Sequence, residues 1–474
     1  MPAVRSRLLV LVAALGVALA AAGHASAFTK TDATVTMDDG VSIATTLYLP
    51  DGTPPTAGWP GIVMLHGLGG KRQDMNLLAE GYFVRQGYAV LTYDVRGHGE
   101  SGGFVTIAGP RELADVRALE AWFAARPDVD DLHVGAWGIS YGGGQTWLAA
   151  VQGVPFAAIE LCETWTDLYT SLFPGGLPKS GVIGGLLNEI PTGKLSPDYA
   201  WLPNAAIRGT DMAQLAALSA QRSALPLIGN LTVPALMLQG RRDFVFGNEQ
   251  AVNAFGRLKG PKLLYLGDHG HSPSTFPAAD TDYSMTLSRR WFDRFLKGER
   301  NGLDTGPNVQ LAPDPWKGKP VSYRGLPPVK TVTYALTGAP RTLSWSAKAV
   351  RTAGRTELPL EDFGAPLITV KATATGGWSR LVALLTATTP AGKQIVVSGG
   401  GVPTSPGTRT YTIKLIAQVT SIPAGSKLIV TFGSSTSGTA GGLLYLDLPT
   451  AGSPKLTVAT ATLHLPVLVK PVSS

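Results

Sequence analysis

Two textures of apolar spacing divide the chain. Up to about residue 300, short apolar runs rich in β-formers alternate with helical patterns. WPGIVMLHG (59–67), GYAVLTYDVRG (87–97), LHVGAWGIS (132–140), PFAAIELC (155–162), VPALMLQG (233–240) and PKLLYLG (261–267) read as strands. Between them, MNLLAEGYFVRQG (75–87), RELADVRALEAWFAARP (111–127), GGGQTWLAAVQ (142–152), NEQAVNAFGRLK (248–259) and SMTLSRRWFDRFLKG (284–298) carry helical spacing. In the second of these, Leu113, Val116, Leu119, Trp122 and Phe123 share one face, and Pro127 follows its end. Strands and helices alternating at these lengths predict a mostly parallel, doubly wound α/β sheet covered on both faces. Beyond GERNGLDTGPNVQLAPDPWKGKP, rich in Gly, Pro and Asn, strict alternation takes over in segments such as TVTYALTG, PLITVKATATG and KLIVTFGSS. That texture predicts an all-β sandwich of the jelly-roll type. The expected division is a leader over 1–27, an α/β catalytic domain over 28–300 and a β-sandwich domain over 301–474.

The first residues refine this picture. Arg5 and Arg7 precede an apolar run from about Leu8 to Ala22, and Ala25-Ser26-Ala27 supplies small residues for a cut after Ala27. This is the pattern of a secretory signal peptide. The expectation is therefore a secreted protein, extracellular or in the periplasmic or cell-wall space, with no membrane association after cleavage. The single cysteine, Cys162, allows no internal disulfide and reads as a buried, inert thiol. The net charge is +7, but only 15% of residues are charged and the basic ones are scattered. Nucleic-acid binding wants a clustered patch, so no nucleic-acid partner is expected. Neither a phosphate-cradling loop nor a dinucleotide fingerprint occurs, and the expectation is no cofactor.

The pattern G-x-S-x-G occurs twice, around Ser101 and around Ser140. Ser101 is followed by FVTIAGP, which is not helical. Ser140 lies between a predicted strand and a predicted helix, flanked by Gly138 and Gly142, which is the setting of an exposed nucleophile on a sharp turn. A serine hydroxyl needs a base, and the base a carboxylate. Asp243, just past the strand VPALMLQG, is the expected acid. His271 in GDHGHS is the expected base, with His269 as the alternative. A metal site built from Asp268, His269 and His271 is the competing reading; it lacks remote ligands, and no metal is expected. Oxyanion stabilisation is assigned to the backbone N–H groups of Tyr141 and Leu68, with His66 bracing the loop that carries Leu68.

DVRGHGESGG (94–103), WGISYGG (137–143), QGRRD (239–243), GDHGHS (267–272) and RFLKGERNGLDTGPNVQL (294–311) together resemble the X-Pro dipeptidyl-peptidase and cocaine-esterase superfamily of serine hydrolases. The resemblance covers nearly the whole chain after the leader. It implies an α/β-hydrolase domain with a helical cap, joined to a C-terminal jelly roll. It also implies that Ser140 is the nucleophile, Asp243 the acid and His271 the base. Two departures stand out. The family's histidine often follows Gly-Pro-Trp, and here Asp268 and His269 occupy the Pro and Trp positions. Many members place a tyrosine side chain in the oxyanion hole, whereas the loop here is His66-Gly67-Leu68, so a hole made of backbone alone is expected.

The stretch of about 164–232 is too long for an ordinary loop and is expected to form a cap over Ser140. In it, Trp165, Tyr169, Phe173 and Trp201 are either a pocket lining or cap packing. Two activities fit: hydrolysis of small acyl esters or amides, and release of X-Pro dipeptides from peptide N-termini. The second needs a carboxylate for the free amine; Glu160 and Glu163 are near enough, and Glu163 is better placed, although a purely structural role is open for both. The partners expected are accordingly a small acyl substrate or a short peptide. A reading from another class, a polymer- or glycan-binding protein with an inactive hydrolase domain, is opposed by the complete Ser, His and Asp set.

Overall fold

A computed structural model describes residues 27–442 and 444–473; the leader proposed for residues 1–27 falls almost wholly outside them. A ten-stranded sheet dominates the first half. Its strands are β1 (Phe28–Thr36), β2 (Ser42–Pro50), β3 (Trp59–Leu65), β4 (Ala89–Tyr93), β5 (Val129–Ile139), β6 (Ile159–Cys162), β7 (Ala235–Gly240), β8 (Lys262–Gly267), β9 (Val309–Leu311) and β10 (Val321–Tyr323). They lie in the order β1-β2-β4-β3-β5-β6-β7-β8-β9-β10. The run from β4 to β9 is parallel, and antiparallel strands close both edges.

Alternation along the central strands builds two cores. In β3, Val63 and Leu65 enter one apolar cluster and Ile62 and Met64 the other. The first cluster is covered by α2 (Pro110–Ala124), α3 (Tyr141–Val151) and α8 (Glu249–Arg257), the second by α9 (Ala278–Leu296). The segment predicted as one helix over 75–87 is instead a 3₁₀ turn (Arg72–Met75), a single turn α1 (Asn76–Leu78), a π turn (Ala79–Phe83) and a second 3₁₀ turn (Val84–Gln86). It still buries Met75, Ala79 and Phe83. Gly81 at its middle weakens regular helix, so the apolar spacing survives while the hydrogen-bond pattern does not.

Between β6 and β7 the chain forms α4 (Leu168–Leu172), α5 (Ser180–Glu189), α6 (Leu202–Arg208) and α7 (Met212–Ala220). These helices carry a small core of their own, including Phe173, Ile183, Leu202 and Leu215.

The first domain does not stop at residue 300. β9 pairs with β8 and β10 with β9, so the ten-stranded sheet runs on to Tyr323. Their three-residue lengths inside a Gly- and Pro-rich stretch left no periodicity to read. After them come two antiparallel sheets. One contains Val329–Leu336, Lys455–Leu468, Leu367–Thr375 and Gly407–Lys414, with Arg341–Ser344 also on the long Lys455–Leu468 strand. The other contains Ala349–Arg355, Lys427–Gly433, Arg380–Thr388 and Gln394–Pro403. Ile368, Val370, Leu428 and Val430 meet in the apolar layer between them, the arrangement of a β-sandwich. Among the described residues, no helix is long and apolar enough to cross a membrane.

Candidate active site

Ser140 stands at the junction of β5 and α3 with φ 52° and ψ −112°, a backbone conformation rarely adopted by a residue with a side chain. Tight packing fixes the turn. A methyl group on Gly142 would strike the Leu65 backbone, and one on Gly138 would strike Thr146 and Gly142. The Ser140 N–H donates to the Cys162 carbonyl (2.8 Å), and the Thr164 hydroxyl donates to the Ser140 carbonyl (2.7 Å). Ser101, by contrast, is a structural hydroxyl: it accepts from Ala44 N–H (2.9 Å) and donates to the Asp94 carbonyl (2.6 Å).

Asp243 follows β7 and His271 follows β8. His271 Nε2 lies 3.0 Å from Ser140 Oγ, and His271 Nδ1 lies 2.8 Å from Asp243 Oδ2. The other carboxylate oxygen accepts the backbone N–H groups of Val245 (2.8 Å) and Phe246 (2.9 Å), so the fully buried Asp243 is held in one orientation. Burial by itself lowers the His271 pKa, but the charge of Asp243 and the hydrogen bond to it outweigh burial, and the net shift is upward.

The second histidine goes elsewhere. His269 Nδ1 lies 3.0 Å from Glu163 Oε1, and its ring stacks on Tyr265 at a centroid distance of 5.7 Å. Burial opposes its charge as well, but Glu163 carries the net shift upward. Asp268 engages the Thr275 hydroxyl. Asp268, His269 and His271 therefore turn to three separate partners, which is not the convergence a metal needs. Among the described residues no cluster of three or more His, Cys, Asp or Glu side chains could hold a metal ion.

The loop after β3 approaches Ser140. Leu68 borders the same cavity as Ser140 and Tyr141. Tyr141 opens α3, where backbone N–H groups have no intrahelical acceptor. His66 is buried beneath this loop. Its Nε2 accepts the Val95 N–H (2.9 Å) and its Nδ1 lies 2.7 Å from the Gly67 carbonyl. One nitrogen accepting and the other donating defines a neutral ring, and burial lowers its pKa. It braces the loop.

A cavity of about 730 Å³ opens beside Ser140, between α3 and the cap helices. Trp165 and Phe173 line it; Trp165 packs on Phe246 at 5.2 Å and donates to the Arg222 carbonyl (2.7 Å). Tyr169 and Trp201 do not line it. Tyr169 stacks on Phe173 (5.3 Å, 27° between planes), and both belong to the core of the cap. Glu163, the better placed of the two candidates for an amine anchor, is not in this cavity either. It has φ 51° and, with His269 and Cys162, borders a separate cavity of about 600 Å³. Glu160 lies under the sheet, accepting from Trp137 Nε1 (2.8 Å) and the Ser288 hydroxyl (2.6 Å); burial raises its pKa to about 8. Burial also pushes the Cys162 thiol well up, as an inert thiol requires.

Two supporting residues carried no sequence signal. Glu112 in α2 is buried and accepts from the Tyr141 hydroxyl (2.6 Å) and Ala108 N–H (3.1 Å), fixing the loop that lends Ile107 to the cavity. Lys179, at the start of α5, is buried and donates to the carbonyls of Phe244 (2.9 Å) and Val245 (2.6 Å). Burial lowers its pKa to about 8. A lone Lys in a Gly-rich stretch and a Glu on an amphipathic helix both look like surface residues until the chain is folded.

The family model for X-Pro dipeptidyl-peptidase (S15 family) matches residues 39–273. Cocaine esterase from Rhodococcus sp. (strain MB1 Bresler) is 27% identical over 337 residues, 58% of this chain and 56% of that protein. The quorum-quenching protein AidA from Acinetobacter baumannii is 38% identical over 120 residues, 24% of this chain and 38% of that protein. The chain thus spans about half or less of the length of these curated relatives. Among solved structures, a CocE/NonD family hydrolase from Staphylococcus aureus superposes with TM-score 0.70 at 16% identity, covering 93% of this chain and 94% of that one. An α-amino acid ester hydrolase gives TM-score 0.69 at 16% identity, over 95% of this chain and 98% of that one. At such identities these two speak for the fold, which they share across both domains. Sequence and fold agree, and the chain belongs to the X-Pro dipeptidyl-peptidase and cocaine-esterase superfamily.

Proposed function

We propose that the protein is a carboxylic ester hydrolase that works through an acyl-enzyme on Ser140. The observation that carries this reading is the unbroken hydrogen-bonded line from Ser140 Oγ through His271 to Asp243, at 3.0 and 2.8 Å. His271 Nε2 takes the hydroxyl proton as Ser140 Oγ attacks the carbonyl carbon, then gives it to the departing alkoxide. A water repeats the sequence and releases the acid. Asp243 keeps the imidazole in the tautomer with Nε2 free and stabilises the imidazolium. The backbone N–H groups of Tyr141 and Leu68 receive the oxyanion. On this reading Leu68→Ala keeps most of the activity, because its backbone is unchanged.

Ester cleavage is favoured over X-Pro dipeptide release by the cavity. Its lining contains no carboxylate to bind a free amine, and Glu163 is committed to His269 on another cavity. Export is part of the proposal and is supported by the leader pattern of residues 1–27; a mature protein beginning at Phe28 in the culture medium or periplasm would bear it out.

The test is initial rates on p-nitrophenyl butyrate and on Ala-Pro-p-nitroanilide, each with Ser140→Ala alongside. Fast ester cleavage, little anilide cleavage and a loss of about 10⁶-fold in the variant are expected. Efficient anilide release dependent on a free N-terminus would make the protein a dipeptidyl-peptidase instead. Ester cleavage surviving Ser140→Ala would overturn the mechanism.

A further inference from the structure

The cavity beside Ser140 is apolar over nearly its whole wall. None of its lining residues is charged. Two of its polar groups are already engaged, the Tyr141 hydroxyl by Glu112 and Trp165 Nε1 by the Arg222 carbonyl. Most of the wall is aliphatic and comes from the cap, including Ile183, Leu187, Leu215 and Leu218. Apolar side chains from all four cap helices surround it, among them Leu172, Leu186, Leu202 and Leu215, a longer hydrocarbon wall than an acetyl group could cover. A cavity of this kind rewards hydrocarbon and penalises any polar group that loses its water.

The direction of the cavity decides which half of an ester enters it. The leaving alkoxide must depart beside His271 Nε2, which protonates it. His271 does not line the cavity; Phe246 stands between, its ring meeting the imidazole edge-on at a centroid distance of 5.3 Å. The cavity instead meets Ser140 beside Leu68 and Tyr141, whose N–H groups hold the carbonyl on the esterase reading, which leaves the acyl substituent as the half of the ester nearest the cavity. We infer that it is an acyl-chain site, and that the substrates are esters of aliphatic acids longer than butyrate. The inference rests on the esterase reading above and adds to it the chemical class of the acid.

Each methylene buried in the transition state contributes about 0.8 kcal/mol, or roughly 4-fold in kcat/KM. The experiment measures kcat/KM for p-nitrophenyl acetate, butyrate, hexanoate, octanoate and benzoate, and for ethyl and hexyl acetate, all below the concentrations at which the esters aggregate. The expected result is a rise of about 4-fold per methylene, near two orders of magnitude from acetate to hexanoate, with no comparable gain for hexyl over ethyl acetate. Ala206, on the cap helix α6 and lining the cavity, supplies the second arm. Ala206→Trp, and the milder Ala206→Leu, are expected to lower the octanoate-to-acetate ratio, by at least about 10-fold for Trp, the size of discrimination that one or two methylenes give in a fitted pocket.

Acetate hydrolysis that depends on Ser140, with no rise along the acyl series or no change of ratio in either Ala206 variant, would overturn the acyl-chain site and leave the esterase reading standing. A gain confined to the alcohol side would also overturn it, as would a preference for benzoate over octanoate. Failure to cleave any of the esters would remove both readings.

Discussion

On the proposed mechanism, His271 accepts the Ser140 proton only while its Nε2 is free. Because Asp243 holds the imidazole above its ordinary pKa of 6.5 despite burial, kcat/KM for ester cleavage is expected to rise with pH through a midpoint above 6.5, read from a pH–rate profile. Asp243→Asn removes the opposing charge. It should move that midpoint down and lower kcat by about 10⁴-fold. His269 offers a separate titration. Its folded pKa is also raised, so the stability contributed by its pairing with Glu163 is complete below pH 6.5 and disappears as pH rises through the higher folded value. Thermal melts of wild type and Glu163→Gln should therefore differ most on the acid side and converge as pH climbs. A difference that grew with pH would mean that His269 is held neutral. That Ser140, Asp243 and His271 would come together was legible in the sequence, because each follows a strand whose apolar run is unmistakable. The path of Glu163 was not legible: at φ 51° it borders a different cavity from Ser140, and a positive φ at one residue leaves no mark on composition or spacing.

At the level of elements, the strands of the parallel sheet and their covering helices were readable for one reason. Each is long enough to show a period, and each buries a face against the next layer. The 72–86 segment kept its apolar spacing but not its helix, and β9 and β10 were too short to show a period at all. The cap is the element that sequence described least. Its helices are brief, α5 is interrupted by three glycines, and whether Tyr169 faces the cavity or the cap core depends on packing against Phe173. Lys179 ties this cap to the loop holding Asp243, through the carbonyls of Phe244 and Val245. Lys179→Met leaves both carbonyls buried without a donor. It is expected to lower unfolding free energy by about 1–3 kcal/mol in denaturant titrations and to reduce kcat more than it raises KM. An unchanged kcat would show that the loop keeps its geometry without the lysine.

The two domains share more than a boundary. The Gln418 side chain donates to the Asp243 carbonyl (2.8 Å), the Asn248 N–H donates to the Ala417 carbonyl (3.2 Å), and the Val419 N–H donates to the Arg241 carbonyl (2.6 Å). Beside them, Arg241 is buried against Glu361 of the sandwich. Strand Arg380–Thr388 is buried on both faces because Leu381, Ala383 and Leu385 enter the sandwich core while Val382 meets Leu177 of the cap and Phe244 of the acid loop. Removing one partner of a buried ion pair strands the other charge. Glu361→Ala should therefore cost about 3–5 kcal/mol of unfolding free energy. The hydrogen bond from Gln418 to Asp243 spans 175 positions, and this sets an order of events during synthesis. As the chain leaves the ribosome, Ser140, Asp243 and His271 are all outside long before the strands that clasp the acid loop. A leaderless chain translated in vitro and stalled at residue 400 would carry every residue of the proposed reaction without the clasp, so on the esterase reading activity should switch on late, only when the segment around Gln418 has emerged and folded.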